Sequence, residues 1–124
     1  MGKKKRPPKW LRNVDEHNFV AAASYLGLVY PKVRRAKLVA ALRRAELVQF
    51  KAKDIFRASQ LSLLGVSNSH VAKDRADIDK GVRLSPLLLV RDEKNGKVVI
   101  ADGYHRLCAV YQLDEDAWIP CKIV

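Results

Sequence analysis

A histidine and an arginine follow a single glycine at the point where an apolar segment gives way to a predicted helix. The segment reads Ile100-Ala101-Asp102-Gly103-Tyr104-His105-Arg106-Leu107-Cys108-Ala109. The first turn of a helix gathers backbone N–H groups that have no acceptor within the helix, together with the positive end of its dipole. Arg106 adds a guanidinium that matches phosphate oxygens, and His105 can donate from a ring nitrogen. We therefore predict that this turn holds an anion.

Each residue of the turn at 102–106 has more than one interpretation. Asp102 can cap the helix, orient His105 or Arg106, or lie near a metal-bound nucleotide, and it can equally be an ordinary turn aspartate. Gly103 is expected to adopt a conformation, or to allow a close approach, that a side chain would block. His105 and Arg106 are expected to contact phosphate, with packing as the alternative for His105. Tyr104 can stack on a base, cover the pocket or pack against its neighbours.

The segment from about Leu87 to Val124 resembles the ParB/sulfiredoxin superfamily. Its order is apolar strand, hairpin, apolar strand, Asp-Gly-Tyr-His-Arg, short helix and a closing strand, Trp118-Ile119-Pro120-Cys121-Lys122-Ile123-Val124. Residues 103–106 match the Gly-Cys-His-Arg turn of sulfiredoxin, and residues 102–106 match the Asp-Gly-x-x-Arg turn of ParB-like domains. A looser match begins near Gln49. The resemblance implies an α+β fold, in which a small mixed sheet packs against helices and the turn binds nucleotide phosphates.

One departure from the sulfiredoxin pattern bears on activity. Tyr104 stands where sulfiredoxin has its catalytic cysteine, and a phenol with a reference pKa near ~10 cannot replace a thiolate nucleophile. Cys108 lies one helical turn further on, where a cysteine–histidine pair with His105 is conceivable. Its Leu-Cys-Ala surroundings, however, are typical of a core. Sulfinic-acid reductase activity is therefore not expected, and phosphate binding is what the resemblance implies.

A second helix is predicted to contribute to the same site. Ser67-Asn68-Ser69 offers capping oxygens, Val71 and Ile78 mark a buried side, and Gly81 ends the helix. His70, Lys73 and Asp77 recur at i, i+3 and i+7 and so share another side. The resemblance implies that His70 and Lys73 contact a nucleotide, and a solvated helix face is the alternative.

The net positive charge of the chain lies in its first 53 residues. These hold 14 Lys and Arg against 3 Asp and Glu, whereas residues 54–124 hold 10 of each, so the whole net charge of +11 lies in the first part. Such a polarised field attracts polyanions. The candidate nucleic-acid contacts are Lys3, Lys4, Lys5 and Arg6 near the N-terminus and Arg34, Lys37 and Arg44 along a predicted helix. The helical stripe can also be an ordinary solvated face.

Three segments are predicted: a basic disordered arm at 1–12, an N-terminal helical extension at 13–45, and a ParB/sulfiredoxin-like domain at 46–124. The extension is read as two helices, the first beginning at Asp15 and the second beginning at Pro31 and running to about Ala45. The domain is expected to begin with a strand at 47–52, followed by a loop or short strand at 53–57. A strand at 87–90, buried on both faces, is expected to lead into a two-residue type I′ turn at Asn95-Gly96. A final strand is expected to close the sheet.

Composition narrows the function classes. Cys108 and Cys121, without a CxxC motif or a secretory signal, predict reduced core thiols in a cytoplasmic protein, and the resemblance implies a bacterial one. The three histidines lie far apart in the sequence, so no metal site is expected. No apolar run approaches the roughly 20 residues of a membrane span, and no membrane partner is expected.

The sequence thus predicts a phosphate- or nucleotide-binding domain whose basic N-terminal region contacts DNA non-specifically. The cofactor implied by the resemblance is a nucleoside triphosphate, ATP or CTP, with or without Mg. The alternative is a nucleotide-hydrolysing or nuclease-type enzyme that uses the same turn. Such chemistry usually needs several acids, and only Asp102 is well placed, with Asp77 and Asp54 as distant candidates. An interaction protein without a ligand at the turn is the third hypothesis.

Overall fold

A computed structural model describes residues 6–124. Within them the chain forms five α-helices, six β-strands and one 3-10 turn. In chain order the elements are β1 Lys9–Trp10, α1 Glu16–Val29, α2 Lys32–Arg44, β2 Val48–Lys51, α3 Ala52–Ser59, α4 Ser69–Asp79, β3 Arg83–Leu84, β4 Leu87–Asp92, the 3-10 turn Glu93–Asn95, β5 Lys97–Asp102, α5 Tyr104–Leu113 and β6 Trp118–Ile123.

The main sheet has the strand order β2-β6-β4-β5 and is mixed. β6 runs parallel to β4 and antiparallel to β2, while β4 and β5 form an antiparallel hairpin. β1 and β3 pair in parallel as a separate two-stranded sheet. The expected α+β class, with a small mixed sheet and packed helices, is confirmed. β6, expected to close the sheet, instead lies inside it, between β2 and β4.

β4 separates two hydrophobic cores. Leu87 and Leu89 belong to a core shared with α3, α4 and α5, whereas Leu88 and Val90 belong to a core shared with α1 and α2. All four side chains are at most 1% exposed. The prediction of a strand buried on both faces is therefore confirmed, and the sheet is covered by helices on each side.

The two N-terminal helices form one of these cores with the sheet. Phe19, Ala22 and Leu26 of α1 and Leu42 of α2 pack on the strand residues Leu88, Val90, Val99 and Ala101. Residues 13–45, expected as an extension, thus supply the cover for one face of the sheet.

The segment after β2 is a helix, so the prediction of a loop or short strand at 53–57 is wrong. Ala52, Ile55 and Ser59 are buried and Phe56 packs partly against the same core, at the i, i+3, i+4, i+7 spacing of one helix face. β2 ends at Lys51 because α3 begins at the next residue.

The β4–β5 connection also differs from its prediction. Asp92 faces Lys97 in the ladder, so the loop has four residues instead of two. The Asp92 carboxylate accepts hydrogen bonds from the backbone N–H and the side-chain amide of Asn95, at 3.4 and 2.9 Å. These bonds stabilise a 3-10 turn, so only Gly96 takes a positive φ, of 64°.

Part of the basic arm is ordered. Lys9 and Trp10 pair with Arg83 and Leu84, and the backbone N–H of Leu11 donates to the carbonyl of Leu84 at 2.8 Å. The prediction of disorder across 1–12 is therefore wrong for this stretch, because β3 supplies hydrogen-bond partners that the sequence pattern did not reveal. Lys3, Lys4 and Lys5 lie outside the described residues.

No helix in residues 6–124 combines the length and the apolar character that crossing a bilayer would require.

Candidate functional site

Gly103 joins β5 to α5 in a conformation that side chains rarely adopt. Its φ is 112°, and a Cβ added there would lie 2.6 Å from the Cγ of Leu87. The first intrahelical bond runs from the N–H of Leu107 to the Gly103 carbonyl, at 2.9 Å. The N–H groups of the three residues between them have no acceptor within the helix, and no side chain caps them. The predicted reason for the glycine, a required backbone conformation and a close approach, is confirmed.

Arg106 lies beside this open helix end and is held by an ion pair. Its Nη2 donates to Oδ2 of Asp102 at 2.8 Å and approaches the carbonyl of Pro86 at 3.5 Å. The two side chains are only 16% and 15% exposed. Of the roles left open for Asp102, the structure thus shows the one in which it orients Arg106.

α4 supplies the opposite wall of a cleft in front of this helix end. The cleft has a volume of about 310 Å³ and is lined by His70, Lys73 and Asp74 of α4 together with Asp102, Gly103, His105 and Arg106. The rings of His70 and His105 meet with their centroids 4.8 Å apart and their planes tilted by 39°. The structure therefore brings together all the residues predicted for this site except the side chain of Tyr104.

The start of α4 is capped, in contrast to that of α5. Oδ1 of Asn68 accepts hydrogen bonds from the backbone N–H groups of His70 and Val71, at 3.0 and 3.2 Å. The cap predicted at 67–69 is confirmed at Asn68. α4 thus satisfies its first backbone N–H groups with its own cap, whereas α5 leaves those of its first turn open at the cleft.

The Tyr104 side chain turns away from the cleft. Its hydroxyl donates to the backbone carbonyl of Ser62, and its ring packs against the core beneath α3, α4 and α5. Burial raises the pKa of this phenol. Of its three interpretations, packing is the one the structure shows, and only its backbone N–H lies at the helix start.

Asp74 is a cleft residue that the sequence reasoning missed. Its pKa is raised above the ordinary aspartate value because burial of the carboxylate outweighs the opposing attraction of Arg106, Lys73 and His105. Asp74 follows His70 at i+4, so the spacing that placed His70 and Lys73 on one helix side was the signal that could have found it.

Lys73 extends to the edge of the cleft and makes a local ion pair. Its Nζ lies 3.0 Å from Oδ2 of Asp77, one helical turn further on, and this hydrogen bond raises the pKa of the ammonium. The Lys73 side chain is 72% exposed. Asp54 lies elsewhere, 3.8 Å from Arg57 on α3.

Both thiols are buried, as predicted. Cys108 and Cys121 have no exposed surface and form no disulfide. Burial raises the pKa of Cys121 to about 12 and also raises that of Cys108. Neither sulfur is set up as a nucleophile.

The basic residues predicted to contact nucleic acid occupy different parts of the molecule. Arg34, Lys37 and Arg44 are exposed on α2, where the Arg34 guanidinium lies 5.4 Å from the centre of the Tyr30 ring. Val39 and Leu42 turn inward, so the expected stripe exists. Arg6 lies in a separate cleft beside Trp10.

Comparison of the chain with protein families, with curated proteins and with solved structures finds no match. Among residues 6–124, no three His, Cys, Asp or Glu side chains come close enough together to hold a metal ion.

Proposed function

We propose that this protein binds a phosphoryl group, carried by a nucleotide or another phosphorylated ligand, in the cleft between α4 and α5. The observation that carries the proposal is the uncapped start of α5, which lies in one cleft with Arg106, His105, His70 and Lys73. Backbone N–H groups at a helix start and a guanidinium are the donors that phosphate oxygens prefer. The resemblance to the ParB/sulfiredoxin superfamily supports the same assignment.

The ion pair prepares Arg106 for such a ligand. Both of its hydrogen bonds use Nη2, and no acceptor among the described residues bonds to Nη1. The guanidinium is therefore fixed in place with donor capacity left over. A preorganised donor binds more tightly than a flexible one because less side-chain entropy is lost on binding.

The carboxylates of the cleft limit what it can bind. Asp102 is neutralised by Arg106, whereas Asp74 meets an incoming anion as a like charge. The raised pKa of Asp74 makes it easier to protonate than an ordinary aspartate, so a proton can accompany the anion. We expect phosphate binding to strengthen as the pH falls toward the pKa of Asp74.

The arrangement of the carboxylates favours ligand binding over hydrolysis. The other acids considered for phosphoryl chemistry are engaged: Asp102 with Arg106, Asp77 with Lys73, and Asp54 with Arg57 outside the cleft. Asp74 alone is left as a carboxylate without an ion-pair partner in the cleft.

The proposal is tested by thermal-shift titration with inorganic phosphate, ATP, CTP and GTP, each with and without magnesium. A ligand at a hundred times its dissociation constant should raise the free energy of unfolding by about 2.7 kcal/mol. Arg106→Ala should abolish this response. Arg44→Ala, which removes an exposed cation from α2, is the matched control and should keep it.

Two outcomes would overturn the assignment. One is the absence of any response to all four ligands, as the interaction-protein hypothesis predicts. The other is a response that Arg106→Ala leaves unchanged. Release of phosphate from ATP or CTP, measured in parallel, would show hydrolysis in place of simple binding.

A further inference from the structure

Both tryptophans of the chain line a second cleft. Trp10 and Trp118 are 108 positions apart in sequence, yet they share a cleft of about 470 Å³. Its other lining residues are Arg6, Pro7, Pro8, Leu113, Asp114 and Ala117. Trp118 is 56% exposed, although a large indole is normally placed where it can be covered.

Strand pairing fixes the backbone positions of both tryptophans. Trp10 lies in β1, whose pairing with β3 fixes it, and its ring packs partly against the core beneath α3, α4 and α5. Trp118 opens β6 and pairs in register with Lys51 of β2. The fold therefore brings both tryptophans to one cleft.

We propose that this cleft binds unpaired bases of a single-stranded nucleic acid. Indole faces stack on any nucleobase, and such stacking is largely independent of sequence. A cleft lined by two indoles suits flat aromatic groups, and the two cations beside it favour an aromatic group that carries phosphate.

Two cations lie beside the indoles, and the ammonium of one of them, Lys51, also lies 3.9 Å from Oδ1 of Asp116. Arg6 lines the cleft, and the Nζ of Lys51 lies 5.4 Å from the centre of the Trp118 ring. These positive charges favour a polyanion over a neutral peptide or a sugar.

Asp114 supplies a hydrogen-bond acceptor in the cleft that holds the two tryptophans. Its Oδ1 accepts a hydrogen bond from the backbone N–H of Asp116 at 2.9 Å, which fixes the carboxylate at the cleft. Oδ2 is then available to the amino group of an adenine, guanine or cytosine base. Base amino groups are donors, so they also suit the negative end of the α5 dipole, which lies here.

This cleft is separate from the one between α4 and α5. The two lie at opposite ends of α5, which spans about 14 Å from Tyr104 to Leu113. The inference therefore does not depend on the proposed function, and each can fail alone.

The test is the binding of a fluorescein-labelled 12-nucleotide RNA and of its duplex form, followed by anisotropy. The single strand should bind and should quench the intrinsic tryptophan fluorescence. Trp118→Ala should weaken its binding by about 5- to 150-fold, the loss expected for one stacked base. Trp118→Phe keeps an aromatic face and should stay within about 5-fold of the native protein.

Tyr25→Ala is the matched control, because Tyr25 is an exposed aromatic residue on α1 and should not affect binding. The native fold of each variant is checked by circular dichroism. The proposal fails if the single strand does not bind, or if Trp118→Ala binds it as the native protein does. It also fails if a proline-rich peptide quenches the tryptophans and the RNA does not.

Discussion

Asp74 carries a negative charge that repels the phosphate group that we propose as the ligand. It faces the same cleft as Arg106 and His105, and burial of its carboxylate raises its pKa. A raised carboxylate pKa means that the folded protein holds a proton more tightly than the unfolded chain does. Ionised Asp74 therefore lowers the free energy of unfolding at neutral pH.

Asp74→Asn is predicted to stabilise the protein at pH 7. Its advantage should shrink as the pH falls through the raised pKa of Asp74, and it should vanish below the unfolded aspartate value of about 3.9, where both states are protonated. Urea unfolding at a series of pH values measures this difference. A gain in stability that does not shrink as the pH falls would contradict this assignment.

The same substitution should tighten phosphate binding by about 3- to 10-fold, because it removes a like charge from the cleft. Isothermal titration with the ligand identified by thermal shift measures the change. Weaker binding in Asp74→Asn would mean that the carboxylate itself contacts the ligand.

At the residue scale, one side of the cleft could be predicted because Gly103, His105 and Arg106 lie within four consecutive residues that follow an apolar strand. His70 and Lys73 share a helix side, and the resemblance implied their part in the site. The direction of the Tyr104 side chain could not be predicted, because it depends on the carbonyl of Ser62, which is 42 residues away.

At the scale of elements, the two helices that border the cleft differ at their first turns: α4 is capped by a side chain, whereas α5 is not. Asn68 satisfies the first amides of α4 and so fixes the helix that carries His70 and Lys73. The amides of α5 have no such partner and are available to a ligand.

Asn68→Ala is expected to lower the free energy of unfolding by about 1 kcal/mol, the usual cost of losing a helix cap. It should also weaken phosphate binding, but by less than Arg106→Ala does, since it removes no ligand contact. Urea denaturation and isothermal titration measure the two effects. Ser67→Ala is the matched control, and an equal loss of stability there would show that Asn68 is not the effective cap.

Elements with a clear periodic pattern were predicted well, and those that depend on distant partners were not. α1, α2 and α4 show helical spacing over several turns, and β4 is a continuous apolar run. α3 has only eight residues and follows a strand directly, so its short pattern was read as extended chain. The place of β6 between β2 and β4 follows from packing against both, which local sequence does not encode.

At the scale of the whole molecule, the two N-terminal helices and the sheet should unfold together. α1 and α2 bury Leu88, Val90 and Val99 of the sheet. A domain with a shared core generally shows one cooperative transition.

Leu42→Ala should therefore lower the free energy of unfolding by about 2–5 kcal/mol and shift the transition of the entire protein. Leu42 has no exposed surface and lies on the opposite side of the sheet from the core that Trp10 contacts. Circular dichroism and tryptophan fluorescence should report coincident midpoints. A fluorescence transition that Leu42→Ala leaves in place would show that α1 and α2 unfold on their own.

The interior position of β6 also has a consequence for synthesis on the ribosome. β4 and β5 are neighbours in the chain and can pair as soon as both have emerged, but β2 reaches them only through residues 118–123. Until translation supplies that strand, one edge of β2 and one edge of β4 present backbone N–H and C=O groups that have no partner in the sheet. The nascent chain must therefore hold its earlier elements in an unfinished, aggregation-prone state and complete the sheet in a late step.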